Sequence, residues 1–202
     1  MAKEVWRPGN MLYPVPAVMV SLSDRAGNDN IITVAWAGTV CSSPAMLGIS
    51  VRPERYSYHM LKESGEFAVN LTTEKLVRAA DFCGVKSGRD TDKWEQAGLT
   101  REQAAKISAP LIAESPVNIE CRVTDVLPLG SHHLFLAEVL AVDVEASLLD
   151  ANGKLDLKKA GLAVYSHGEY CGLGALLGTF GFSVRKRTNR GKTRKSAGNK
   201  GK

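Results

Sequence analysis

Residues 31–57, IITVAWAGTVCSSPAMLGISVRPERYS, are the stretch that decides the fold. Successive side chains of a strand point to opposite faces, and this period predicts one strand over residues 31–41 and a second over residues 46–52. One face of the first strand carries only small side chains: Thr33, Ala35, Ala37, Thr39 and Cys41. We expect the two strands to pair and to present a flat shelf on which a planar ring can lie.

The second strand ends in a cationic turn. Its apolar face, which we expect to lie in the core, consists of Leu47, Ile49 and Val51. Arg52 ends the opposite face, and Arg55, Tyr56 and Ser57 follow within five residues. Either arginine alone is typical of a solvated strand end. Together with the two hydroxyls they favour a phosphate clamp, because guanidinium groups and hydroxyls hold phosphate through charge-assisted hydrogen bonds.

Charge divides the chain into two parts. Residues 185–202 contain nine Lys and Arg and no acid, whereas the rest of the chain has 17 Lys and Arg against 21 Asp and Glu. A segment of Gly, Lys, Arg, Asn and Ser cannot bury enough apolar surface to fold. We therefore expect one domain over residues 1–184 and a basic, disordered tail over residues 185–202. The mildly acidic body argues against a nucleic-acid-binding protein, except for weak binding through this tail.

The sequence offers no metal site and no catalytic nucleophile. The four cysteines are far apart and form no C-x-x-C pair, which argues against zinc binding. His132 and His133 point to opposite faces of a strand and cannot share one metal. No G-x-S-x-G elbow is present. An enzyme without such groups usually relies on a cofactor.

The N-terminus has no apolar signal region, and no run approaches the ~18 apolar residues of a membrane helix. We expect a cytoplasmic protein that has no membrane contact.

Strand patterns dominate the rest of the chain. Residues 16–23 form an apolar run before a turn-rich segment, and residues 117–124 alternate as a half-buried strand. Residues 133–144 are apolar on nearly every position and predict a central strand. Its partner is expected after the Asn152-Gly153 turn signal. The pattern predicts a mainly β protein, an antiparallel barrel with short inserted helices.

Three short helices are predicted between the strands. The first covers residues 55–64 and ends at Gly65, which favours a left-handed cap. The second covers residues 74–83. The third covers residues 92–97 and begins at Asp92, in capping-box spacing with Glu95.

Four pieces of the chain, in order, resemble a known family. They are residues 33–57, the strand EFAVNL at residues 66–71, FCGVKSGRDTDKW at residues 82–94 and YSHGEYCGLG at residues 165–174. Together they resemble the flavin reductase-like family of FMN-binding split barrels, in particular its flavoredoxin-like branch, over most of residues 10–184. The resemblance implies a Greek-key split β-barrel and a homodimer with one FMN per subunit near the dimer interface.

The resemblance also implies the residues that bind FMN. Those along the isoalloxazine ring would be Thr33, Ala35, Trp36, Ala37, Gly38, Thr39, Val40 and Cys41. Those around the phosphate would be Arg52, Arg55, Tyr56 and Ser57, and Cys83, Gly84 and Lys93 would close the site. Relatives often have Ser at the position of Cys41 and Thr at that of Ser57, and a thiol is the weaker hydrogen-bonding group. Trp36 taken by itself is more typical of core or interface packing.

The implied function is an FMN-dependent oxidoreductase that passes electrons from NAD(P)H through bound FMN to an acceptor. No catalytic side chain is expected, because the flavin carries the chemistry. One alternative is a flavoredoxin-type electron carrier that takes electrons from a protein partner. Another is a nucleic-acid or interaction module that acts through the basic tail. The sequence leaves the donor, the acceptor and the fate of reduced FMN open.

Overall fold

A computed structural model describes residues 1–185. The predicted basic tail thus lies outside the described residues, apart from Arg185. The helices are α1 (Tyr56–Ser64), α2 (Val77–Val85) and α3 (Lys93–Ala97), with 3-10 turns at Glu74–Leu76, Ala146–Leu148, Leu157–Ala160 and Phe182–Val184. The strands are β1 (Val15–Pro16), β2 (Val18–Ser23), β3 (Asp29–Val34), β4 (Ala37–Ser42), β5 (Ala45–Val51), β6 (Glu66–Asn70), β7 (Arg101–Glu102), β8 (Leu111–Ile112), β9 (Val117–Pro128), β10 (His133–Val144), β11 (Ala163–Ser166) and β12 (Glu169–Gly172).

Seven strands form one antiparallel sheet in the order β3-β2-β6-β9-β10-β5-β4. The order is linear, so the sheet is open between β3 and β4, as in a split barrel rather than a closed one. A three-stranded sheet β1-β11-β12 and the pair β7-β8 lie beside it. The mainly β class predicted from the sequence is confirmed.

The single strand predicted over residues 31–41 is wrong. The chain leaves β3 at Val34 and bends at Ala35 and Trp36 before β4 begins, and the two strands lie at opposite margins of the sheet. The Ser50 amide on β5 donates to the Trp36 carbonyl at 2.8 Å and fixes this bend. Alternation in the sequence continues through the bend, which is why periodicity alone does not reveal it. The continuous shelf of small residues therefore does not form.

The main core lies inside the curved sheet, under α1. The expected core face of β5 is confirmed, since Leu47, Ile49 and Val51 are 7%, 0% and 2% exposed. Phe67, Phe135 and Tyr58 of α1 complete this core. Burying side chains of this size contributes roughly 1.5–3 kcal/mol each. The core thus holds α1 against the sheet.

The local signals for the three helices are confirmed. Gly65 ends α1 with φ 69°, the left-handed conformation that glycine adopts without strain. Asp92 begins α3, and its carboxylate accepts from the amides of Trp94 and Glu95. Residues 74–76 form a 3-10 turn that leads into α2. Helices α2 and α3 pack over β2 and β3 around the buried Trp94.

The strand predicted over residues 117–124 is present as β9, but it is not half-buried in the expected way. Its polar residues Asn118 and Glu120 are 5% and 0% exposed. The carboxylate of Glu120 accepts from the amides of Ala105, Lys106 and Ile107 at 2.7, 2.6 and 3.1 Å. A loop that follows β7 therefore covers the polar face of β9.

Residues 133–144 form the central strand β10, as predicted, between β9 and β5. The turn at Asn152-Gly153 is also present, with Gly153 at φ 74°. The partner strand expected after this turn is absent from the described chain, because 3-10 turns lie on both sides of it. No helix within residues 1–185 combines the length and the apolar character needed to cross a membrane.

Candidate functional site

A cleft runs past the end of β5 through three adjoining cavities. The cationic cavity, of about 540 Å³, lies between the start of α1 and residues 86–89. The middle cavity, of about 160 Å³, lies between β3 and the end of β5. The aromatic cavity, of about 710 Å³, lies between Trp36 and residues 9–12. Arg52 lines all three, so they form one continuous cleft.

The start of α1 forms one wall of the cationic cavity. Arg55 is the N-cap residue and makes no side-chain capping bond, and the first turn contains no acid. The free amides and the helix dipole make such a terminus favourable for an anion. Ser57 in this turn is 2% exposed and accepts a hydrogen bond from the Asn30 amide at 2.8 Å.

Lys93 places a buried cation at the opposite wall. It is 4% exposed, and its ammonium donates to the carbonyls of Ile31 at 2.7 Å and Cys83 at 2.8 Å. An ammonium group has three protons, so one remains for a ligand in the cavity. Burial lowers the pKa of Lys93 to about 8; the Cys83 thiol opposes this shift, and the charge of Arg55 adds to it.

Cys83 and Gly84 lie at the end of α2, where the helix crosses β3. Burial raises the pKa of Cys83 to about 11, with Lys93 acting in the opposite direction. The thiol therefore stays protonated and is no nucleophile near neutral pH. A Cβ on Gly84 would lie 3.2 Å from the Cβ of Thr33, whose hydroxyl donates to the Ala80 carbonyl. Gly84 thus permits close packing of α2 on β3.

The cleft brings together ten of the fifteen residues predicted to bind the cofactor. They are Thr33, Ala35, Trp36, Ala37, Arg52, Arg55, Tyr56, Ser57, Cys83 and Lys93. The other five do not line these cavities: Gly84 packs on β3, and Gly38, Thr39, Val40 and Cys41 run along β4 at the margin of the sheet. Their contact with a flavin stays a prediction.

Aromatic side chains gather at the far end of the cleft. Trp36 packs against Tyr13 with ring centroids 6.0 Å apart, and Tyr13 in turn contacts Tyr165 and His167 at 6.2 and 5.8 Å. Tyr165 packs on Tyr170 at 5.4 Å. This agrees with the packing role expected for Trp36, although its side chain also lines the cleft.

Sequence reasoning missed several lining residues. Asn30 ends the turn-rich segment that the sequence indicates after residues 16–23, but it lies in β3, where its side chain donates to Ser57. A Cβ on Gly88 would overlap the Asn30 amide, so that glycine allows the loop to approach β3. Arg89 lies over the Tyr56 ring, 5.9 Å from its centroid. No local signal marks these contacts, because they join residues far apart in sequence.

Residues 11–174 match the family described as "Flavin reductase like domain". Among solved structures, flavoredoxin of Desulfovibrio vulgaris (Miyazaki F) is similar with a TM-score of 0.84 and 29% identity, covering 91% of this chain and all of that one. A relative described only as an uncharacterized protein, from Archaeoglobus fulgidus, is 30% identical over 158 residues, 78% of this chain and 88% of its own.

A third relative is an NADPH-flavin oxidoreductase of Streptomyces viridifaciens, 30% identical over 111 residues. That match covers 54% of this chain and 56% of the relative, so it spans little more than half of either protein. The similarity to flavoredoxin, by contrast, extends over nearly the whole described chain. The predicted mainly β, split-barrel fold is thereby confirmed, and the chain belongs to the flavin reductase-like domain family.

Proposed function

We propose that the cleft binds FMN and that the protein is an FMN-dependent oxidoreductase. The observation that carries this proposal is the cationic cavity at the uncapped start of α1. It combines Arg52 and Arg55 with the buried Lys93, and the only carboxylate in its described lining is Glu54, which bonds Arg52 at 3.3 Å. Such a cavity suits the phosphate of FMN, which carries about two negative charges.

The residues of the cleft fit the other parts of FMN as well. The middle cavity is flanked by the small residues Thr33, Ala35 and Ser50, which leave room for a flat ring close to the backbone. Trp36 and Ala37 continue this wall into the aromatic cavity. Along the cleft the lining residues thus change from cationic to small and then aromatic. The parts of FMN follow the same order, from the phosphate to the ring.

The chain's own residues would bind and orient the cofactor. Arg55, Ser57 and Lys93 would hold the phosphate, and the walls of the middle cavity would fix the plane of the ring and limit water. When bound, FMN supplies reversible redox chemistry that no side chain here can provide. Cys83 contributes no second redox group, because its thiol is buried and protonated.

We propose NAD(P)H as the electron donor, transiently bound at the open end of the cleft. The similarity to the NADPH-flavin oxidoreductase of Streptomyces viridifaciens supports an NADPH-linked reaction. The similarity to flavoredoxin supports the alternative of an FMN electron carrier served by a protein partner. Anaerobic mixing of the FMN-loaded protein with NADH or NADPH separates the two functions. Rapid bleaching of the flavin band favours the reductase, and no bleaching favours the carrier.

We also propose that the protein is a homodimer. Many apolar side chains near the C-terminal end of the described chain are exposed: Leu173, Leu176, Leu177, Phe180, Phe182 and Val184. Monomeric proteins rarely leave a contiguous apolar surface of this kind in water. A second copy of the chain is the partner that the family resemblance implies.

The phosphate assignment is tested by replacing Arg55 and Ser57 together with Ala. The double variant should bind FMN about a hundredfold more weakly, because charged hydrogen bonds are each worth roughly 1.5–3 kcal/mol. Riboflavin, which has no phosphate, should be affected less than threefold in the same fluorescence titration. Arg78→Ala, at an exposed arginine of α2, is the control and should leave both ligands unchanged. Equal losses for FMN and riboflavin would refute the assignment.

A further inference from the structure

The hairpin of β7 and β8 carries a loop, residues 103–110, that folds back over the main sheet. The two strands of this hairpin pair over residues 101–102 and 111–112. Most of the loop is exposed, and Ala109, at 1% exposure, is its one buried side chain in the described chain. Apolar burial therefore contributes little to holding this loop, which we call the strap.

Two carboxylates on neighbouring strands hold the strap instead. Glu120 of β9 accepts from the amides of residues 105–107, which are three successive donors. Glu66 of β6 accepts from the next amide, that of Ser108, at 2.9 Å and from its hydroxyl at 3.0 Å. Hydrogen bonds to an ionised acceptor are about twice as strong as neutral ones. The attachment of the strap therefore depends on the charge of these two groups.

Glu120 shares its face of the sheet with a second carboxyl group. Ala141 of β10 lies directly opposite Glu120, so Asp143, two residues further along β10, is a diagonal neighbour on the same face. Asp143 is partly buried, and one of its oxygens is buried without a partner in the described chain. The charged groups that bear on it are Glu120 and Glu102 of β7, which are both negative.

The proton of Asp143 decides whether this neighbour supports or opposes the attachment. A protonated Asp143 donates a hydrogen bond to Glu120, whereas an ionised Asp143 places a second negative charge beside it. Burial and the hydrogen bond with Glu120 raise the pKa of Asp143. The closed strap thus favours the protonated acid, and its stability is lost as pH rises through that raised pKa.

Neutral amides hold the base of the strap. The amide of Ile112 in β8 donates to the Asn70 side chain at 3.0 Å, and its carbonyl accepts from the Asn118 side chain at 3.0 Å. These bonds do not depend on the protonation of a carboxyl group. The strap can therefore open while β8 stays attached to β6 and β9.

We propose that residues 103–110 form a pH-sensitive strap, which is closed while Glu120 is ionised and Asp143 is protonated and which opens when Asp143 loses its proton. The opening is local, since the bonds at the base remain. The inference goes beyond the proposed function, because the strap and its carboxyl groups lie outside the lining of the flavin cleft.

Amide hydrogen exchange of the full-length protein between pH 4.5 and 8, followed by NMR and corrected for intrinsic rates, tests the proposal. Protection of the amides of residues 105–108 should fall about tenfold across this range, which is the effect of losing about one hydrogen bond. Asp143→Asn donates to Glu120 at every pH and should keep these amides protected throughout. Asp125→Asn, at an exposed acid of β9, is the matched control and should retain the wild-type profile.

A second measurement uses a lysine-specific protease at pH 8, which should cleave after the exposed Lys106 faster in the wild type than in Asp143→Asn. Glu120→Gln should leave residues 105–107 unprotected at every pH; if that variant does not fold, the wild type and Asp143→Asn still decide the question. Protection that does not change with pH in the wild type would overturn the proposal. The same pH profile in Asp143→Asn, or a loss of protection shared by the core of the sheet, would also refute it.

Discussion

Lys93 is the residue in which burial and charge conflict most directly. Removing an ammonium group from water favours its neutral form, and the pKa of Lys93 falls from 10.5 to about 8. Between these two values the unfolded chain holds more protons than the folded chain, so the free energy of unfolding of the flavin-free protein rises with pH. The charged ammonium group of Lys93 therefore destabilises the flavin-free protein, and a bound anion would offset this effect.

FMN affinity should therefore depend on the protonation of Lys93. As pH rises from 7 to about 9.5, Lys93 loses its proton and FMN should bind progressively more weakly, because the phosphate stays fully ionised above its second pKa of about 6. Riboflavin should show no such loss. Equilibrium fluorescence titrations of both ligands across this range measure the effect.

Two lysine variants control this prediction. Lys93→Met should weaken FMN at pH 7 and remove the pH dependence. Lys86→Met removes one positive charge from the same cavity at an exposed position and should leave the pH dependence in place. If the pH dependence of FMN affinity were the same in Lys93→Met as in the wild type, a group other than Lys93 would be responsible for it.

Among the elements, β9 shows how a polar pattern can be misread. Alternation in residues 117–124 correctly predicts a strand. The side chains of Asn118 and Glu120, however, form hydrogen bonds with other parts of the chain that cover the strand, and they do not face water. The Asn118 amide donates to the Asn70 side chain at 2.7 Å and to the Ile112 carbonyl at 3.0 Å. A polar residue that forms hydrogen bonds with buried backbone groups gives the same alternating pattern in the sequence as a polar residue that faces solvent.

Asp143 on β10 should respond to this burial. Desolvation, followed by a hydrogen bond to Glu120 and the charges of Glu120 and Glu102, raises the pKa of Asp143. One of its oxygens is buried without a partner in the described chain. The folded state therefore favours the protonated acid, and its ionisation costs stability at neutral pH.

Asp143→Asn should stabilise the protein at pH 7 by about 1 kcal/mol, because it removes a half-buried charge beside Glu120 and supplies a donor. The gain should shrink as pH falls through the raised pKa of folded Asp143 and be lost below the unfolded pKa of about 3.9, where wild-type Asp143 is protonated in both states. Urea unfolding at pH 7 and at pH 3.5 measures it, with exposed Asp125→Asn as control. A variant less stable than wild type at pH 7 would show that the charge is needed.

Elements were predictable where the signal is local. Gly65 and Asp92 mark helix ends through their own backbone and side chain, and the face of β5 follows from alternation. The break at Ala35 and Trp36 was not predictable, because it depends on a bond from Ser50 on another strand. The candidate site divides in the same way: the Arg52 to Ser57 turn is contiguous, whereas Asn30 and Arg89 join it only through the fold.

At the scale of the whole molecule, the apolar C-terminal end of the described chain is the main feature left without a partner. Leu177 is 93% exposed and Phe180 fully so. This segment follows β12 and the aromatic side chains of Tyr165 and Tyr170. An interface between two copies would cover this segment.

The protein should therefore be a dimer at micromolar concentration by light scattering. Replacing Leu177 and Phe180 together with Glu should give a monomer, because two charges cannot be buried unpaired in an apolar interface. Leu149→Glu, at a partly exposed leucine elsewhere, should leave the dimer intact. A wild-type monomer that retains its flavin would contradict the proposed assembly.

The bend at Ala35 and Trp36 has a mechanical consequence. It carries the chain from one margin of the sheet to the other, and the cleft follows the seam between β3 and the end of β5. A molecule bound along that seam touches both sides and resists their separation. Its binding free energy thus adds to the free energy of unfolding, and separating the two sides of the cleft would also release the ligand.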